Sequence, residues 1–196
     1  MQVRWEYLTP PEFKKLVKEE QICILPLGIL ERHGEHLPYG TDGLSVHAIA
    51  CRAAALEPCV VVPTYWFVGE ALQQMWQEEL GVTVQLQNQE WNAFLETRKK
   101  GEYQIARNGF KKIVIFSGHG GNSHFLDYFA MTQLDREVDY TLYILRGAGK
   151  RQLALADMWE TKYGHAGEEE TSQIMAITPE GVVKLEQQVY EEPILP

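Results

Sequence analysis

Residues 22–28, Ile-Cys-Ile-Leu-Pro-Leu-Gly, are the first unbroken apolar run of the chain, and runs at 59–63, 112–117 and 140–145 follow it. Continuous rather than alternating apolarity predicts strands buried on both faces. Helical spacing fills the intervals. Thr9 is placed as an N-cap, with Pro10 at the first helical position and Glu12 able to complete a capping box, so a helix opens over 10–20. Leu44, Val46, Ile49, Ala50, Ala53 and Ala54 recur with helical period over 43–56. A long amphipathic helix is expected over 86–108, closed by Asn108-Gly109, and shorter ones over 123–136, 154–159 and 168–177. Residues 65–76 are rich in aromatics without a clear period. Strands alternating with helices predict an α/β fold: a three-layer α/β sandwich around a mainly parallel sheet, in one domain over 1–196.

Composition narrows the function classes. The formal net charge is −9 and no basic stripe interleaves with aromatics, so nucleic acid is excluded as a partner. No apolar run approaches the roughly 20 residues that span a bilayer, and the N-terminal Met1-Gln2-Val3-Arg4-Trp5-Glu6 lacks the core of a signal peptide. No membrane partner and a cytoplasmic location are therefore expected. Cys23, Cys51 and Cys59 show no C-x-x-C spacing and are expected as reduced thiols.

The densest chemistry follows the first strand directly. Glu31, His33, Glu35, His36 and Asp42 all fall within residues 30–42, and strand ends are where α/β folds hold ligands. Glu31 and His33 project to one side of extended backbone. Asp42 follows a loop containing Pro38 and Gly40, beside a predicted helix N-terminus where the dipole favours an ionised carboxylate. Imidazole with carboxylate suits Zn²⁺, Mn²⁺ or Fe²⁺, and a carboxylate can bridge two ions. Two further donors come from elsewhere: His119 in the turn Gly118-His119-Gly120-Gly121-Asn122, and Glu170 in the first helical turn after Gly167. Five donors with one shared carboxylate predict a binuclear site with positions left for water and substrate. His47 reads as packing, and Glu35, Glu168 and Glu169 as solvated. The glycine-rich turn matches neither phosphate-binding pattern, and no serine or cysteine sits in a nucleophile elbow.

These residues resemble the creatininase (creatinine amidohydrolase) family. Its E-x-H-G-x-H-L-P-x-G-T-D block appears at 31–42, its G-H-G-G-N at 118–122 and its H-A-G-x-x-E-T-S at 165–172, in the family's order. The resemblance implies an α/β sandwich, a homo-oligomer of hexameric type, and hydrolysis of cyclic amides and related C–N bonds with two divalent ions, Zn²⁺ with Mn²⁺ or Fe²⁺. Carried over by motif, it implies that Asp42 bridges the ions, Glu31 and His119 hold one, His33 and Glu170 hold the other, and His165 is the general acid/base.

The reaction expected is attack by an ion-bridging hydroxide on a carbonyl, with His165 protonating the departing atom. Candidates for contact with a small-molecule substrate are His36, which stands equally as a support for the ligands, Gly120, Gly121, Asn122 and Tyr163, with Tyr65, Trp66 and Trp76 as further pocket walls. Two alternatives stand beside this reading: hydrolysis of a C–C bond in a cyclic diketone from cyclitol or sugar breakdown, and a non-catalytic metabolite-binding relative. The chain also departs from the family pattern. Creatininase itself has a ligand glutamate where Gly121 stands, and the region comparable to the family's H-x-x-F-P-G-T reads Gln77-Glu78-Glu79-Leu80-Gly81-Val82-Thr83. A divergent member is expected, rather than creatininase itself.

Overall fold

The structure is a computed structural model describing residues 1–66, 105–135, 137–146, 158–160 and 164–188. The apolar runs become β1 (Ile22–Leu27), β2 (Val60–Val61), β3 (Lys112–Ser117) and β4 (Thr141–Arg146). All pair in parallel, in the order β2-β1-β3-β4. The helices are α1 (Pro10–Glu20), α2 (Thr41–Leu56), α3 (Asn122–Thr132) and α4 (Glu168–Ile177).

Alternate residues of each strand sort into two cores. Cys23, Val60 and Ile113 pack with Leu16 and Val17 of α1, and Leu25, Leu27 and Ile115 with Leu126 and Phe129 of α3. On the opposite face Ile22, Ile24, Val61 and Phe116 meet Ala50 and Ala54 of α2. The sheet is thus the middle of three layers. Among the described residues no helix is long and apolar enough to cross a membrane, and none of the three cysteines is disulfide-bonded.

Pro26 sits inside the central strand, where a missing N–H would ordinarily break a ladder. Here the even-numbered residues of β1 face β2, as the bonds from Val62 N to Ile24 O and from Tyr65 N to Pro26 O demonstrate. Just there the chain leaves β2 through Pro63 and Thr64, then rejoins β1 where Tyr65 bridges Leu27. The absent donor therefore faces a gap in the partner strand. The same detour shortens β2 from the expected 59–63 to two residues.

Two helix boundaries also differ from expectation. α2 begins at Thr41, not Gly43, because Pro38 O accepts both the Thr41 N–H, at 3.1 Å, and the Thr41 hydroxyl, at 2.7 Å. Asp42 consequently lies within the first helical turn. α3 stops at Thr132, and a 3₁₀ turn continues to Asp135. The helix expected over 86–108 lies mostly outside the described residues, and Gln77–Thr83, Trp76, Tyr163 and 154–157 of the helix expected over 154–159 lie outside them too.

Candidate metal centre

Register brings the donors to one edge. β1 and β3 run level, residue against residue, from Ile22 beside Lys112 to Leu27 beside Ser117. The segments that follow each strand, carrying Glu31, His33 and His119, therefore emerge side by side. The loop after β1 folds back on itself through a bond from Glu31 N to Tyr39 O at 3.0 Å, delivering the chain to α2. Asp42 in α2 and Glu170 in α4 are both first-turn carboxylates, where unpaired N–H groups favour negative charge.

Close backbone approach sets the depth of Asp42. A Cβ on Gly118 would lie 2.4 Å from Asp42 O, and one on Gly28 would lie 2.3 Å from Gly43 Cα. The ends of β1 and β3 can thus crowd the start of α2 only because both positions are glycine.

The side chains then converge. Glu31, Asp42 and His119 form one triad of potential ligand atoms, and His33, Asp42 and Glu170 a second, with Asp42 common to both. His119 Nδ1 is 3.0 Å from Asp42 Oδ2 and 3.2 Å from Glu31 Oε2; His33 Nε2 is 3.3 Å from Asp42 Oδ1 and 3.8 Å from Glu170 Oε2. Yet Glu31 Oε2, His33 Nε2 and Asp42 Oδ2 are buried without hydrogen-bond geometry to any partner. The atoms stand within ion-pair distance of one another while forming no hydrogen bond of good geometry. Unpaired buried polar atoms are costly, and a cation between them removes that cost, so this donor set fits divalent ions.

Neighbouring bonds fix which nitrogens are available. His33 Nδ1 donates to Glu31 O at 3.0 Å, which leaves the Nε2 lone pair facing Asp42 and Glu170. The turn carrying His119 is braced from beneath by Ser117: its hydroxyl donates to His119 O at 3.0 Å and accepts from Asn122 Nδ2 at 3.1 Å. Glu170 Oε2 accepts the Ala166 N–H at 2.7 Å.

Charge within the cluster is shared with protons. Burial by itself would depress His119, but Asp42 and Glu31 outweigh it and raise its pKa to about 9. His33 is raised for the same reason, burial being overcome by Asp42 and the Glu31 carbonyl. Asp42 is held below the usual carboxylate range, since His119 and His33 overcome its burial. Burial pushes Glu170 up despite His33 and the Ala166 N–H. The proton held on His119 thus supplies part of the positive charge that a cation would bring.

The other expected residues are placed unevenly. His165 is half-exposed at the mouth of the cluster. Its ring lies tilted by 36° against His33, centroids 4.2 Å apart, and its Nε2 donates to Arg32 O at 2.6 Å. That bond leaves Nδ1 as the free lone pair, 3.9 Å from Glu31 Oε2. Gly120 and Gly121 are exposed beside His119. A Cβ at Gly121 would come within 2.5 Å of His119 Nε2, so this histidine's ring occupies space that a glutamate at 121 would contest.

Asn122 is 1% exposed and committed to Ser117, and His36 is 3% exposed with Nε2 2.9 Å from Thr171 Oγ1. Tyr163 lies outside the described residues. Glu35 pairs with Arg32 at the surface, and His47 is half-buried, with Nε2 3.5 Å from Cys51 Sγ. Three contributors had no assigned role in the sequence reading: Thr171, the Ala166 N–H and Ser117. The signal available for Thr171 was its position three residues before Ile174 on the buried face of α4.

A family model described as creatinine amidohydrolase matches residues 6–194. The chain belongs to the creatininase family, as a divergent member. It superposes over 97% of its length on 78% of a crystal structure of creatinine amidohydrolase (creatininase), with TM-score 0.74 and 24% identity. A manganese form of creatininase aligns with 98% of the chain and 79% of its own, at TM-score 0.75 and 23% identity. A Zn–Zn form of a mutant creatininase gives TM-score 0.72 at the same identity and coverage. At these identities the likeness establishes the fold.

Among curated relatives, 3-dehydro-scyllo-inosose hydrolase of Thermotoga maritima is 24% identical over 187 residues, 91% of this chain and 57% of that protein. A match of another kind is short. The periplasmic oligopeptide-binding protein OppA of Salmonella typhimurium is 48% identical over 40 residues, which is 20% of this chain and 7% of OppA. The chain therefore spans just over half of the curated hydrolase, and only a small part of the peptide-binding protein.

Proposed function

We propose that the protein is a binuclear metal-dependent hydrolase acting on a cyclic amide or related C–N bond of a small molecule. One observation carries this reading: two donor triads sharing Asp42, with buried ligand atoms left unpaired around a common space. Glu31, Asp42 and His119 would hold one ion, and His33, Asp42 and Glu170 the other. Zinc and manganese are the expected ions, since creatininases of this fold occur in both forms. When bound, such ions polarise a carbonyl and bring the pKa of coordinated water down towards about 7.

The remaining work falls to the chain. Its Arg32 bond keeps a proton on His165 Nε2, so Nδ1 is the nitrogen that exchanges protons with the reacting groups. Nδ1 faces the Glu31 carboxylate at the open side of the cluster, where a departing nitrogen can be protonated. The exposed Gly120, where a Cβ would meet nothing within 4 Å, presents bare backbone beside His119 and leaves room for a substrate ring. Creatinine is not the expected substrate, because Gly121 replaces the ligand glutamate of creatininase itself.

A second reading, hydrolysis of a C–C bond in a cyclic diketone, draws on the 91% coverage by 3-dehydro-scyllo-inosose hydrolase. The protein loaded with Zn²⁺ or Mn²⁺ and assayed on cyclic amides and cyclic diketones separates the two. Turnover on the amides, abolished in Asp42→Asn, is the expected result. Turnover confined to the diketones selects the second reading. Ion-dependent thermal stabilisation without turnover on either set overturns both.

A further inference from the structure

His36 lies in the same loop as Glu31 and His33 but outside both donor triads. It is 3% exposed, and its Nε2 meets the hydroxyl of Thr171, itself 5% exposed, at 2.9 Å. That contact joins residues 135 positions apart in sequence. Thr171 directly follows Glu170 in the first turn of α4, and its N–H bonds Gly167 O at 3.0 Å. The His36 carbonyl is engaged as well, accepting the N–H of Lys184 at 2.9 Å.

One residue of the ligand loop thus grips both the start of α4 and the segment after it. Further along α4 the anchoring is different: Ile174 is buried, and Gln173 accepts a hydrogen bond from Ser45 of α2. Near the donor carboxylate, the bond from Ala166 N holds Glu170 itself, and the His36–Thr171 contact holds the turn that carries it.

We infer that His36 is a positioning residue for Glu170: through the Thr171 hydroxyl it docks the first turn of α4 against the ligand loop, setting the reach of Glu170 towards the His33–Asp42 half of the centre. The inference rests on the binuclear reading above. It predicts an asymmetric consequence, because the Glu31–Asp42–His119 half makes no use of α4. Partners of this kind, which orient a ligand without touching the ion, change metal affinity by about 10- to 100-fold.

The test uses the full chain, stripped by chelator and titrated with Zn²⁺ against a chromophoric competitor, beside Thr171→Val, Thr171→Ser and His36→Gln. The wild type takes up two ions. Thr171→Val, close in shape but without the hydroxyl, weakens one ion by about 10- to 100-fold and leaves the other within about twofold. Thr171→Ser restores the weakened site, and its metal-free Tm stays within about 4 °C of the wild type. His36→Gln, which keeps a polar group on the loop, falls between them. Unchanged affinities in Thr171→Val overturn the inference, as does equal weakening of both ions in step with a lowered metal-free Tm. A wild type that binds fewer than two ions overturns the binuclear reading, and this inference with it, before any variant is compared.

Discussion

Glu31 and His119 reach the centre from segments that follow two adjacent strands, while Glu170 reaches it from the first turn of a helix on the far side of the ligand loop. The first pair inherits its placement from a ladder in which six residues of β1 lie opposite six of β3. Glu170 depends on α4 docking, through Ile174, the Ser45–Gln173 bond and the His36–Thr171 contact. Sheet register is the stiffer device, since shifting it by one residue turns every side chain to the other face. A helix can tilt by a fraction of an ångström at much smaller cost. The Glu31–Asp42–His119 half should therefore bind its ion first and more tightly, with the His33–Asp42–Glu170 half as the adjustable site.

Asp42 is the one point where this contrast vanishes. Asp42→Asn should produce the largest effect, with bound ions falling from two towards none and hydrolysis to background, measured by elemental analysis and turnover. Retention of two ions would break the whole scheme. Glu170→Gln comes next and sharpens the contrast: one ion is lost and the other stays within a few-fold. Loss of both would mean that the halves are not independent.

Gly118→Ala tests the packing beneath both halves. Its methyl would lie 2.4 Å from Asp42 O, and overpacking of this kind costs about 1–3 kcal/mol. Tm should fall, and both ions should weaken together, because the displaced carboxylate is the shared one. Selective loss of one ion would contradict a common foundation.

The smallest effect is one of pH, in the ion-free protein. His119 has a folded pKa of about 9, above an unfolded value near 6.5. The charged form is therefore stabilised by folding. That stability is complete below about pH 6.5 and is lost as pH rises through 9. Tm in chelator should decline over that window, and His119→Asn should flatten the decline. Ion binding follows the opposite slope, strengthening as the histidines lose their protons.

Much of this was legible in local pattern. The continuous apolar runs located β1 and β3, and the spacing of polar residues just beyond them picked out Glu31, His33 and His119. The first-turn position of Glu170 followed from periodicity, whereas Asp42 was legible only as lying beside a helix start. What was not legible depended on contacts between distant segments. The start of α2 at Thr41 rests on the Pro38 carbonyl taking two donors, and the tolerance of Pro26 rests on where β2 happens to leave the ladder. Nothing in local sequence pairs His36 with Thr171, and nothing reveals that Gly28 and Gly118 are pressed against the backbone of α2. These are consequences of docking, which appear only once the layers are assembled.

Anomalous diffraction from crystals grown with Zn²⁺ or Mn²⁺ reads out whether two ions share Asp42. Two peaks per chain are expected, both within about 2.2 Å of an Asp42 carboxylate oxygen, one also bound by Glu31 and His119 and the other by His33 and Glu170. A single peak, or two peaks of which Asp42 touches only one, would contradict this sharing.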